Sequence, residues 1–244
     1  MCSKIENVAV IPARGGSKAI PNKNLAILGD KPLVVWSIEA AVNAACFDRI
    51  IVSTDDDAIA EVARRHGAEI SVRPPELATD RALVIDALRD LISRFADGGS
   101  RPRILVLLEP TCPFRSADDI NRCIDQLRDG RMDSVATFKA AELNPMRAWT
   151  IIDDEPRPFI ADAVPWLPRQ ELPTAFQLNG AVYAFRADRL NSDHGSILFG
   201  RKSAVMMPPE RSLDIDDEFD LKVANAILDI SARESNRFTM RTGE

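Results

Sequence analysis

The chain has 244 residues, a formal net charge of −6 at pH 7 and a sequence pI near 5.1. Its apolar fraction of 45 % is that of an ordinary globular protein, and the acidic balance argues against nucleic-acid or anionic-membrane binding. Cys2, Cys46, Cys112 and Cys123 lack Cys-x-x-Cys spacing, and the only histidines are His66 and His194, which argues against zinc.

We read the cysteines as free thiols of a reducing cytoplasm. The N-terminus runs into a strand with no signal peptide, and no apolar run nears the roughly 20 residues of a membrane span.

In chain order, Asn7–Ile11 reads as a strand. It breaks into a loop with Gly15 and Gly16 and the basic residues Arg14, Lys18, Lys23 and Lys31 nearby. Glycines let backbone N–H groups approach an anion, and the cations neutralise it, so this loop is a phosphate-binding candidate. It fits neither the Walker pattern nor Gly-x-Gly-x-x-Gly. Residues 33–46 carry apolar side chains at helical spacing after Pro32. Strand 49–53 follows, then helix 56–66 closed by Gly67, and strand 69–72. Alternating strands and helices predict a three-layer α/β fold around a mostly parallel, doubly wound sheet.

Residues 83–95 return to helical periodicity. The run 103–108 is apolar almost throughout, as a strand covered on both faces would be, so we place it centrally. Ser116 is an N-cap candidate for helix 117–127, and 133–138 is another strand. Residues 141–177 change character. Prolines recur, apolar periodicity is poor, and Trp149, Phe159, Trp166 and Phe176 are scattered through it. We read an excursion from one domain spanning 1–244, its aromatics forming either a satellite core or a partner-facing surface. Strands follow at 179–185 and 204–207, then an amphipathic helix at 217–231 with a frayed polar tail.

Parallel α/β sheets bind ligands beyond the carboxyl ends of their strands. That rule collects Arg14, Ser17, Lys18, Lys23 and Asn24 after the first strand, Ser53, Thr54 and Asp55 after the second, and Arg73 after the third. Glu109, Thr111 and Arg115 follow the central strand, and Asp214 and Asp216 come last. Two carboxylates two apart on an extended segment point one way and suit Mg²⁺ shared with phosphate oxygens. Alternatively, Asp216 or Asp217 caps the last helix. Asp55-Asp56-Asp57 reads as a helix N-terminus. Cys112 lacks a histidine base.

The motifs at 11–18 and 23–25 resemble the nucleotide-binding loop of the acylneuraminate cytidylyltransferases, the CMP-sialic acid synthetases. The likeness continues through 50–55, 73–80, 107–115, 179–183 and 214–216, in order along almost the whole chain. It implies a Rossmann-like nucleotidyltransferase in which a nonulosonic sugar acid attacks the α-phosphate of CTP and pyrophosphate leaves.

By motif position the resemblance implies that Arg14, Gly15, Gly16, Ser17, Lys18, Lys23 and Asn24 hold the triphosphate, with Arg73 near base and ribose. It implies Mg²⁺ on Asp214 and Asp216, with Arg14, Lys23 and Asp214 carrying the chemistry. Glu109, Arg169, Gln177 and Asn179 fall to the acceptor, and segment 141–177 becomes the arm of a homodimer, or of a dimer of dimers. Glu109 stands where the family commonly has glutamine, Arg81, Leu83 and Val84 replace small polar residues, and Gln177 replaces an occasional arginine. These departures leave the acceptor open: sialic, pseudaminic or legionaminic acid, or with another NTP a phosphonate or sugar phosphate. A nucleotide-binding module without catalysis is the remaining alternative.

Overall fold

The computed structural model describes residues 6–17, 19–79 and 81–241, with side chains to Arg233. Lys18 and Cys2 lie outside the described residues. Strand β1 (Asn7–Pro12) leads to a two-residue ribbon of β2 (Ile27–Leu28) and β3 (Lys31–Pro32) and to helix α1 (Leu33–Ala44). Strand β4 (Arg49–Thr54), helix α2 (Asp57–Arg65), strand β5 (Glu69–Val72) and helix α3 (Val84–Asp97) follow. Next come β6 (Ile104–Leu107), α4 (Ala117–Arg128) and β7 (Ser134–Ala140). A second ribbon, β8 (Trp149–Ile152) and β9 (Glu155–Pro158), precedes β10 (Phe176–Arg186), β11 (Lys202–Met206) and α5 (Glu218–Arg241).

The main sheet has seven strands in the order β11-β7-β10-β6-β1-β4-β5, which puts the apolar run of β6 in the middle. All neighbouring pairs are parallel except those of β10, which runs antiparallel to both β6 and β7. The reversal has a consequence for the site. The beginning of β10, not its end, lies at the sheet edge where the other strands finish.

The sequence of β1 explains the layering. Ala9 and Ile11 pack under α1, α2 and α4 with Val34, Ile38, Ile59 and Ile120. Val8 and Val10 face the other way, onto Leu88, Leu91 and Phe95 of α3. Side chains alternate across a strand, so a continuous apolar run is what a strand buried on both faces requires.

A third cluster joins Ile20, Leu28 and Leu33 to Ile215 and Ala224. This small core clamps the segment between β11 and α5 against the loop after β1, bringing residues nearly two hundred positions apart into contact. Helix α5 runs further than its apolar pattern predicts, to Arg241 in place of a tail frayed after Ala232. Positions 232–241 contain no glycine or proline to stop a helix. No helix among the described residues is long and apolar enough to cross a membrane.

Candidate active site

The loop after β1 is tied down from below. Ala13 N–H donates to Ser53 O (2.9 Å) and Gly15 N–H to Asp55 Oδ1 (3.0 Å). A Cβ at Gly15 would lie 2.8 Å from Asp56 Oδ2, so a side chain there would collide with the cap of α2. Gly16, by contrast, has open space around it, and its backbone is approachable. Asn24 is buried and donates from Nδ2 to Arg14 O (2.9 Å), so its amide shapes the loop from inside.

Arg14, Ser17, Lys23, Asn24, Arg73, Glu109 and Thr111 line one cleft of about 280 Å³ at the carboxyl ends of β1, β5 and β6. Arg73 is buried against Ser53, donating to its Oγ (3.3 Å) and its carbonyl (3.2 Å). Burial lowers the Arg73 pKa, assisted by Arg14 and opposed by Asp55. Glu109 is pushed up to about 7, first by burial and then by the nearby Asp214 charge, against the pull of Arg115.

The second half of the site arrives on the irregular segment 207–217. Ile215 is fully buried and its N–H donates to Thr111 O (2.8 Å), with Asp214 half-buried and Asp216 exposed on either side of it. Lys23 Nζ reaches across, donating to Ile215 O (3.0 Å) and lying 3.5 Å from Asp216 Oδ1. Asp217, not Asp216, caps α5, accepting from Phe219 N–H (2.8 Å) and Asp220 N–H (3.0 Å). Among the described residues Asp214 Oδ1 is buried with no hydrogen-bond partner. A buried carboxylate oxygen is costly unless something pairs with it. An orphan hard oxygen beside a second carboxylate is a donor set that fits Mg²⁺.

Gly180 makes this approach possible. It sits in an irregular stretch of β10 at φ +72°, and a Cβ there would lie 2.9 Å from Glu109 Oε2, 3.0 Å from Cys112 Sγ and 3.8 Å from Asp214 Oδ2. Cys112 Sγ donates to Asn179 O (2.7 Å), and burial, then Asp214, raises its thiol pKa, so it is no nucleophile.

Residues 8–197 match the family described as Cytidylyltransferase. The chain belongs to this cytidylyltransferase family. It is 31 % identical over 231 residues to an N-acylneuraminate cytidylyltransferase of Streptococcus agalactiae serotype V, a match covering 93 % of this chain and 55 % of the relative. It is also 29 % identical over 231 residues to a CMP-N,N'-diacetyllegionaminic acid synthase of Legionella pneumophila, covering 92 % and 97 %. The chain thus spans about half the length of the first of these relatives and nearly all of the second. A solved CMP:2-keto-3-deoxy-manno-octonic acid synthetase complexed with CTP shares the fold, with a TM-score of 0.68 at 19 % identity over 93 % of this chain and 99 % of that one.

In this cytidylyltransferase-family chain, three residues expected at the acceptor lie apart from the cleft lining. Asn179 is buried and accepts from Thr137 Oγ1 (2.7 Å) while donating to Ser212 Oγ (3.0 Å), so its amide ties β10 to segment 207–217. Gln177 Oε1 accepts from Glu142 N–H (2.9 Å) at the root of the excursion. Arg169 lines a separate hollow of about 350 Å³ with Asn144, Arg147 and Leu172.

Two further arginines carry weight: Arg115, which the sequence places after the central strand, and Arg147, which it does not single out. Arg115 is fully enclosed, donating to Ala181 O (2.7 Å), Ser37 Oγ (2.6 Å) and Glu109 O, and burial lowers its pKa to about 10. Its position after the central strand flags it, but its burial is invisible in sequence. Arg147 faces the same hollow as Arg169, and its Nε is buried with no partner among the described residues.

Proposed function

We propose that the protein is a Mg²⁺-dependent cytidylyltransferase that activates a nonulosonic sugar acid, converting CTP and the acid to a CMP-sugar and pyrophosphate. The observation that carries this reading is the meeting of Lys23 with Ile215 O and Asp216, beside the unpartnered Asp214 oxygen. Cations for a triphosphate and carboxylates for its metal share one cleft edge.

Arg14, Ser17, Lys18 and Lys23, with the backbone of Gly15 and Gly16, hold the triphosphate. Asn24 supports them through Arg14 O, and Arg73 lies toward base and ribose. The anomeric hydroxyl oxygen attacks the α-phosphorus, the bond to the β-phosphate breaks, pyrophosphate departs and the hydroxyl proton is released. Negative charge grows on the bridging oxygen and the leaving pyrophosphate, where fixed cations help most. Asp214 and Asp216 would hold Mg²⁺, which when bound would supply charge neutralisation at that leaving group.

Glu109 favours an acceptor that presents an amine or hydroxyl to the cleft, since in its ionised form it would repel a bare carboxylate. The sugar acid's own carboxylate needs a cation, and Arg169 is the candidate. We assign segment 141–177 to a homodimer contact because large apolar side chains on it are left bare: Trp166 is 82 % exposed, Ile151 72 % and Phe159 70 %. A tight turn at Asp153-Asp154, both at positive φ, closes the β8–β9 ribbon that carries Ile151, while Phe159 follows directly after β9 and Trp166 lies further along the segment. We place the reaction in the cytoplasm, the compartment that suits the free thiols of Cys46, Cys112 and Cys123.

Pyrophosphate release, measured with each NTP, Mg²⁺ and a panel of nonulosonic acids, tests the reading. Turnover is expected with CTP and at least one such acid. Tight CTP binding without turnover on any acceptor would leave only a nucleotide-binding module.

A further inference from the structure

Segment 207–217 carries both metal-binding candidates, yet it belongs to no helix or sheet long enough to hold it. Its downstream end is fixed by Ile215, through Thr111 O and Lys23. Its upstream end rests on Arg211. The guanidinium makes a two-point contact with Asp119, Nη2 to Oδ1 at 2.9 Å and Nε to Oδ2 at 3.2 Å. Asp119 is 0 % exposed and lies in the first turn of α4, where it and Ser116 form a capping box. A buried carboxylate so placed cannot swing toward water, and a planar guanidinium pairs with it in one orientation.

Between these anchors hang Ser212, Leu213 and Asp214. Ser212 is braced by Pro208 O (2.8 Å), Asn179 Nδ2 (3.0 Å) and Lys139 Nζ (3.3 Å to its carbonyl). Among the described residues Asp214 Oδ1 has no hydrogen-bond partner, so backbone placement does most to aim that oxygen. We propose that the Arg211–Asp119 pair is a positioning device for the metal site, transferring the rigidity of α4 to the carboxylates at 214 and 216. The proposal rests on the assignment of Asp214 and Asp216 to Mg²⁺. Neither Arg211 nor Asp119 lines the cleft formed by Arg14, Lys23, Arg73 and Glu109.

The test is Mn²⁺ affinity in the full chain holding a non-hydrolysable CTP analogue, read from water-proton relaxation. Arg211→Lys keeps the charge and loses the fork. Arg211→Gln with Asp119→Asn removes both charges and avoids leaving one buried alone. Partners behind a metal's ligands typically govern about 10-fold to 100-fold in affinity. Both variants are therefore expected to weaken Mn²⁺ by at least about 10-fold and to raise the Mg²⁺ needed for half-maximal rate equally. Excess Mg²⁺ should restore kcat, and metal-free CTP binding should be unchanged. A lowered melting temperature with parental Mn²⁺ affinity would make the pair a mere fastener of α4 and overturn the proposal. Asp214→Asn run alongside separates the premise: if it too binds Mn²⁺ like the parent, the metal assignment fails first.

Discussion

Replacing Gly180 by alanine tests the convergence at the cleft directly. The residue sits at φ +72°, where an L side chain costs roughly 1–2 kcal/mol. The added Cβ would lie 2.9 Å from Glu109 Oε2, the tip of a side chain bordering the cleft, and 3.0 Å from Cys112 Sγ, which is buried and bonded to Asn179 O. Overpacking of that kind costs about 1–3 kcal/mol. Together these give a loss on the order of 3 kcal/mol, and in a domain of this size about 2–4 °C of melting temperature follows each kcal/mol. Gly180→Ala should therefore melt about 6–12 °C below the parent in a calorimetric scan without ligands. Activity should fall as well, because the Glu109 carboxyl must leave its place at the cleft. Gly16→Ala is the contrast, since its Cβ meets nothing within 4 Å. It should melt with the parent while raising KM for CTP. A Gly180→Ala protein that melts within about 2 °C of the parent and turns over normally would refute the packing argument.

Glu109→Gln should change how ligand-free stability depends on pH. The folded carboxyl is pushed up to about 7, above its unfolded value near 4.3, so the folded state holds the extra proton. Stability then falls as pH rises between those two values and levels off above the folded one. The glutamine variant should gain on the order of 3–4 kcal/mol over the parent at pH 8 and little at pH 4 in urea unfolding, whereas an equal gap at both would exclude a proton on Glu109. If segment 141–177 makes the proposed homodimer contact, Trp166→Ser combined with Phe159→Ser should leave a monomer in light-scattering chromatography where the parent is a dimer, because both rings are largely bare in the single chain. An unchanged mass would detach these two rings from self-association.

Much of the fold is legible because its signals are local. The β1 and β6 runs are apolar on both faces, and Ser116 is followed three residues later by Asp119, a capping pair the structure contains. The rule that ligands gather beyond strand carboxyl ends collects Arg14, Lys23, Arg73 and Glu109, and these share one cleft. What sequence hides is non-local. The direction of β10 depends on its neighbours, so nothing in Asn179-Gly180-Ala181 announces that its beginning faces the site. The Arg211–Asp119 pair spans 92 positions between unremarkable residues, and Asn179 proves to be bonded inward on both sides of its amide. Arg169 and Arg147 form a hollow of their own on the excursion, because no periodicity links that segment to the sheet.

The central claim is that a triphosphate half and a metal half, joined by Lys23 and Ile215, transfer a cytidylyl group to a sugar acid. The most direct measurement is ³¹P NMR of CTP, Mg²⁺ and a nonulosonic acid incubated with parent protein and with Asp214→Ala. A new CMP-sugar phosphodiester resonance and free pyrophosphate should grow with the parent, while folded Asp214→Ala leaves CTP intact. Equal product from the variant, or no phosphodiester from the parent with any acid, would contradict the account.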